Sequence, residues 1–129
     1  MAVVKQFSVI LENRRGALAE LCSKLAEKAV NIRALLVPEQ PGEATVRLVV
    51  DGLDAAKKVF DGLGIRYELE DVLAVRLVDR PGSLGKLTRK LADHGLDVRY
   101  VYGSILKGSD KASIILAVSD VEAASKVLK

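Results

Sequence analysis

The stretch Glu12-Asn13-Arg14-Arg15-Gly16-Ala17-Leu18 returns 66 residues later as Val78-Asp79-Arg80-Pro81-Gly82-Ser83-Leu84. In each, an apolar run ends, a polar residue follows, and glycine opens a segment whose leucines recur at helical spacing. The similarity extends outward. Glu12–Arg33 aligns without gaps on Val78–Arg99, and eight of these 22 positions are identical, among them Gly16/Gly82, Leu21/Leu87 and Leu25/Leu91. Further on, Ala44–Phe60 aligns on Ala112–Leu128, with Ala55-Ala56 on Ala123-Ala124 and Lys58-Val59 on Lys126-Val127. The offset there is 68, which puts a two-residue insertion in the second copy between residues 100 and 111. Order, spacing and hydrophobic pattern agree, so the chain reads as two copies of one module.

Each copy gives the same series of elements. Val3–Leu11 and Val72–Val78 are apolar and rich in β-branched residues, as first strands are. Helices open at Gly16 and Gly82, with stripes Leu18, Leu21, Cys22, Leu25 and Leu84, Leu87, Leu91. Asn31–Val37 and Asp97–Leu106 are second strands, followed by turns at Pro38–Gly42 and Lys107–Asp110. Ala44–Val50 and Ala112–Val118 are third strands, and Leu53–Leu63 and Val121–Lys129 second helices. Ile65–Glu70 closes the first copy as a fourth strand. The second copy stops at its second helix and has no fourth strand. The pattern predicts an α+β fold of two ferredoxin-like βαββαβ modules, each an antiparallel sheet with helices on one face. The domains expected are 1–70 and 71–129, abutted at Glu70-Asp71 without a Gly/Ser/Pro linker.

The missing strand has a consequence. Without it, one edge of Val72–Val78 would expose unpaired backbone groups, and proteins pair or cover such edges. The run Ile65–Val78 has no flexible break. Pairing with the matching strand of the first copy, in one joined sheet, or with another chain is therefore expected, and a homodimer with it.

Composition narrows the function. Half of the 129 residues are hydrophobic, and the formal charge is +3, from 20 basic and 17 acidic residues. Modules of about 60–65 residues are marginal alone. The basic excess is small and scattered and suggests no polyanion-binding stripe. The longer apolar runs have strand length, short of a membrane span, and Met1–Gln6 leads directly into a strand without a signal-peptide pattern. The one cysteine, Cys22, permits neither an internal disulfide nor a Cys-rich metal site. A cytoplasmic location, with no membrane and no nucleic-acid partner, is the expectation.

The glycine loops carry the chemistry. A helix start offers unpaired N–H groups and a partial positive charge, and glycine lets a carboxylate approach that backbone closely. The Asn13 amide can meet both an ammonium and a carboxylate; Asp79 can meet an ammonium. Glycine beside Asn or Asp is equally ordinary turn chemistry. Asn31 and Asp97 occupy matching places after the first helices, where each either points at a neighbouring loop or enters the strand after a helix stop. Arg33 and Arg99 also match: each either faces a ligand carboxylate or, as exposed charge usually does, is a solvated sheet-edge residue. His94 stands alone near a helix end, and Cys22 reads as core.

The segments Asn13–Leu18 and Asp79–Leu84 resemble the (D/N)-R-P-G-x-L signature of the ACT domain, the amino-acid-sensing unit attached to many metabolic enzymes. Val30-Asn31-Ile32 and Leu96-Asp97-Val98 resemble its G-(V/I)-N-(I/V) element. The likeness covers nearly the whole chain and is nearest to stand-alone tandem ACT proteins. It implies ligand-binding roles for Asn13, Arg14, Gly16, Ala17, Leu18 and Asn31, and for Asp79, Gly82, Ser83, Leu84 and Asp97, at loops near an inter-module contact. In serine-sensing members, ligand is held by asparagines matching Asn13 and Asn31, helped by a histidine where this chain has Leu11. Arg15 replaces the signature proline, Ala29 the glycine before Asn31, and the second copy carries aspartates in place of both asparagines.

No nucleophile–base pair, phosphate-binding run or dinucleotide loop appears, so no catalytic residue, metal or cofactor is expected. The reading is a non-catalytic regulatory protein that binds an amino acid, with a metabolic enzyme as its regulated partner. A dimerisation or partner-binding module without ligand is the alternative. An RNA-binding module is a weaker one, since the third strands lack the aromatic residues that stack bases.

Overall fold

A computed structural model describes residues 1–104, 108 and 111–129. Ten elements follow in order. These are β1 (Ala2–Leu11), α1 (Ala17–Glu27), β2 (Ile32–Leu36), β3 (Ala44–Val50), α2 (Leu53–Gly62), β4 (Tyr67–Val78), α3 (Ser83–Asp93), β5 (Val98–Ser104), β6 (Lys111–Val118) and α4 (Val121–Val127). Among the described residues the chain forms two tandem ferredoxin-like modules, βαββαβ in the first and βαββα from β4 onward in the second. Ile105, Leu106, Lys107, Ser109 and Asp110, which include the end of the expected second strand and most of the expected turn, lie outside the described residues.

The first compact unit comprises Lys5–Glu70. Its strand order is β2-β3-β1-β4. β1 pairs antiparallel with β3 in the register Phe7↔Leu48 and Leu11↔Ala44, and β2 with β3 through Ile32↔Val50 and Leu35↔Leu48. A bulge falls between Ile32 and Ala34. The alternation of β1 puts Phe7, Val9 and Leu11 on the helix side, where Leu21 and Leu25 of α1 and Ala56, Val59 and Phe60 of α2 close the core. Phe7 and Phe60 meet edge to face at 4.9 Å, and Tyr67 stands 5.5 Å and 5.4 Å from them. Such aromatic contacts add to the stabilisation from area burial. On the opposite face Gln6 is fully buried, and its amide donates to Glu70 Oε1 at 3.1 Å.

The second unit comprises Asp71–Lys129 together with Met1–Val4. Its strand order is β1-β4-β6-β5, with β1 represented by its opening residues. β4 pairs with β6 from Leu73↔Leu116 to Val78↔Lys111, and β5 with β6 through Val101↔Leu116, with a bulge between Val98 and Tyr100. The bulges of β2 and β5 fall at matching positions of the repeat. Leu73, Val75, Leu91, Leu116 and Ala124 form the core. The edge of β4 is thus not bare: the opening residues of β1 take the lateral place a fourth strand would fill. The expected strands Ile65–Glu70 and Val72–Val78 are one strand, because no glycine or proline interrupts them. On the face away from the helices Tyr100 and Tyr102 stand opposite Ala117 and Ile115, both buried. These tyrosines serve as sheet packing.

Candidate functional site

The two glycine loops have one geometry. Gly16 sits at φ +88° and Gly82 at φ +93°, each in the left-handed region at the start of its helix. In the first module Arg14 N–H donates to Glu12 O (2.9 Å), Ala17 N–H to Arg14 O (3.2 Å) and Glu20 N–H to Gly16 O (2.9 Å). In the second, Arg80 N–H donates to Val78 O (2.9 Å), Ser83 N–H to Arg80 O (3.3 Å) and Lys86 N–H to Gly82 O (2.9 Å). Among the described residues no side chain caps α1 or α3, whereas Asp120 caps α4 by accepting from Ala123 N–H at 3.0 Å. A β-carbon on either glycine would meet nothing within 4 Å. The loops therefore present uncapped helix starts beneath open space, an arrangement suited to an anionic group.

Beside the first loop lies a hollow of about 380 Å³ between the end of β1, α1 and the connection from α2 to β4. Its floor is apolar: Leu11, Ala17 and Leu21 are buried. Charged side chains ring it. Arg14 Nη2 donates to Glu20 Oε2 at 2.6 Å and Arg14 Nε to Glu12 Oε2 at 3.1 Å. Its hydrogen bond to Glu20, then that residue's charge, holds the Arg14 guanidinium above its ordinary value, and the same contact holds the Glu20 carboxyl below its own. Across the mouth, Arg66 Nη2 reaches both oxygens of Glu43 at 3.4 Å. Beside the second loop is a smaller hollow of about 160 Å³, which Asp79, Gly82, Ser83 and Leu84 help to line.

The residues expected from sequence divide into two groups. Arg14 and Ala17 line the hollow beside the first loop, while Asn13 and Gly16 are exposed on the same loop and outside the lining. Leu18, one turn ahead of buried Leu21, and Leu84, two turns ahead of buried Leu91, are 37% and 41% exposed. Asn31 is elsewhere: its carbonyl accepts from Asp51 N–H at 2.9 Å, next to the Ile32↔Val50 pair. Asn13 follows the Leu11↔Ala44 pair at the other end of β3. Six residues of strand separate the two, about 20 Å. Asp97 is likewise remote from Asp79, and it exchanges hydrogen bonds with Ser119: N–H to Oγ at 3.1 Å, and Ser119 N–H to Asp97 O at 3.0 Å. Arg33 is engaged by Asp51, Nε to Oδ2 at 2.7 Å. Sequence reasoning missed Glu20, Glu43 and Arg66. Only Glu20 left a local signal, an acidic residue in the first turn of a helix introduced by arginine.

Among the described residues no group of three or more His, Cys, Asp or Glu is placed to hold a metal ion. No helix among them is long and apolar enough to cross a membrane.

The fold and its loops define a class: a tandem ferredoxin-like module that presents one helix-start loop twice. The family model of the ACT domain pair matches residues 1–128, and the chain belongs to that family. The crystal structure of protein BT0572 from Bacteroides thetaiotaomicron is 28% identical, with a TM-score of 0.91 over 98% of this chain and 86% of that one. The ligand-free regulatory subunit of aspartate kinase from Thermus thermophilus is 19% identical, with a TM-score of 0.68 over 99% of this chain and 95% of its own. The same subunit from Thermus flavus is also 19% identical, with a TM-score of 0.68 over 98% and 91%. At 19% identity the likeness is one of fold. Among proteins with curated descriptions, none matches the chain.

Proposed function

We propose that this protein is a non-catalytic regulator that binds an amino acid at its helix-start glycine loops and controls a separate metabolic enzyme. The observation that carries the reading is the matched pair of left-handed glycines, Gly16 and Gly82, each opening an uncapped helix below open space. A carboxylate there meets backbone N–H groups and the positive end of a helix dipole. Membership of the ACT domain pair family and the fold shared with aspartate kinase regulatory subunits support the regulatory role. The proposed ligand contacts come from Asn13–Leu18 and Asp79–Leu84. Asn31 and Asp97 belong to the opposite ends of their own modules, so no single module offers both of its polar residues to one ligand.

Thermal melting of the full chain against every natural amino acid tests this. At about 100 times its dissociation constant the ligand stabilises by about 2.7 kcal/mol. A flat response across the set, together with a flat calorimetric titration, would remove the sensor reading.

A second reading, assembly without ligand, is favoured by one observation. Leu35 on β2 and Val101 on β5 occupy matching positions, and each is 41% exposed. Self-association that no amino acid alters is its signature.

A further inference from the structure

We propose that the hollow of the first module is the ligand seat, that it takes a neutral aliphatic amino acid, and that Glu43 and Arg66 read the ligand's two charged ends. The inference rests on the amino-acid reading above and adds the groups that recognise the zwitterion. The hollow has the size and character of a small-molecule site, an apolar floor with a few polar groups at its rim. Leu11, Ala17 and Leu21 supply the floor. Among the described residues its apolar lining is Ile10, Leu11, Ala17, Leu21, Leu63 and Ile65, all aliphatic, and an aliphatic side chain packs against them. The charges around it balance, with Glu12, Glu20 and Glu43 against Arg14, Lys24 and Arg66. A zwitterion preserves that balance, and a net-charged ligand does not.

Among the described residues four ion pairs involve these groups, and they differ. Arg14 is committed to Glu20 at 2.6 Å and Glu12 at 3.1 Å, and Lys24 to Glu27 at 3.6 Å along the helix. Arg66 and Glu43 face each other across the mouth at 3.4 Å, longer than the ordinary 2.7–2.9 Å of a charge-assisted hydrogen bond, and are 76% and 64% exposed. A pair so long and so solvated contributes little and can be exchanged for a ligand that offers both charges: carboxylate to the Arg66 guanidinium and to the N–H groups at the start of α1, where Ala17 lines the hollow, and ammonium to the Glu43 carboxylate. The pair also borders a second hollow of about 700 Å³, and Ile10 and Ile65 line both. The second module has no such clamp. Lys111 stands where the repeat puts Glu43, so a basic side chain replaces the acidic half of the clamp. One ligand per chain is the consequence.

The test is calorimetric titration of the full chain with L-valine, L-leucine and L-isoleucine, with L-aspartate and L-lysine as charged comparators. At least one aliphatic amino acid binds, at one site per chain, and more tightly than either charged one. Arg66→Gln and Glu43→Gln each weaken it about tenfold or more, the size of a lost hydrogen bond to a charged group. Both side chains are exposed, so the variants fold, as circular dichroism verifies. Arg33→Gln, which breaks the Asp51 pair at the other end of the module, leaves affinity unchanged. Amino-acid binding that is indifferent to both clamp variants, or that prefers a charged ligand, overturns the inference and leaves the sensor reading standing. Two equal sites per chain overturn it as well. No binding of any amino acid to the unmodified chain removes both.

Discussion

The Arg14 guanidinium reaches past the glycine it precedes to Glu20, Nη2 to Oε2 at 2.6 Å, and so ties the loop to the first turn of the helix that the loop introduces. A second exposed pair, Arg33 with Asp51, ties β2 to the end of β3. Both carboxyls are held below their ordinary values, Glu20 chiefly by its hydrogen bond to Arg14 and Asp51 by its hydrogen bond to Arg33. A carboxyl with a depressed folded value contributes stability above its unfolded value, about 4.3 for Glu and 3.9 for Asp. That contribution is lost as pH falls through the folded value.

The first prediction follows from that sign. Urea midpoints should fall between about pH 5 and pH 2, and Glu20→Gln and Asp51→Asn should each fall less steeply. The difference should shrink in about 1 M salt, because both pairs are exposed. Identical slopes in the variants and the parent chain would show that these pairs contribute nothing.

The loop glycines make a matched second test. Gly16→Val and Gly82→Val meet no steric obstacle but force φ near +90° on a β-branched residue. Each should remain folded and lose about 1–2 kcal/mol. Gly16→Val should also abolish amino-acid binding, since its side chain occupies the space above the helix start. A smaller effect on binding from Gly82→Val would assign the site to the first module. Unchanged affinity in Gly16→Val would mean that the loop is only a turn.

Gly103 of β5 stands opposite Ile114 of β6. A β-carbon there would lie 2.5 Å from Ile114 Cδ1 and 2.6 Å from Ser113 O. Because one of these is backbone, rotamer change alone cannot relieve the clash. Gly103→Ala should cost about 1–3 kcal/mol, as overpacking does, measured by urea denaturation. A neutral result would mean that β5 and β6 separate freely at this point.

In solution we expect two chains to associate. Light scattering should give about twice the 13.9 kDa of one chain. Leu35→Lys and Val101→Lys, substitutions on exposed apolar positions of β2 and β5, should shift the mass toward the single chain without loss of helix content. A single-chain mass for the parent protein at every accessible concentration would refute the dimer.

The sequence by itself determined the modules, because their cause is local. Alternation in Val3–Leu11, leucines at helical spacing after Gly16 and Gly82, and the 66-residue offset between the loops all act within a few residues of chain. The place of the two glycines at helix starts was equally local, whereas their left-handed backbone, φ +88° and +93°, came with the structure. Tertiary structure decided what lies far apart in the chain. It put Glu43 beside Arg66, drew Met1–Val4 into the unit of Asp71–Lys129, and set Asn31 about 20 Å from Asn13. Each of these depends on strand pairing and register. Asn13 and Asn31 follow similar motifs and look equally suited to a ligand, but β1 ends at one end of β3 and β2 begins at the other. The crossover through α1 leaves β1 and β2 parallel, each antiparallel to β3, and this return through the helix parts two asparagines only 18 residues apart in sequence.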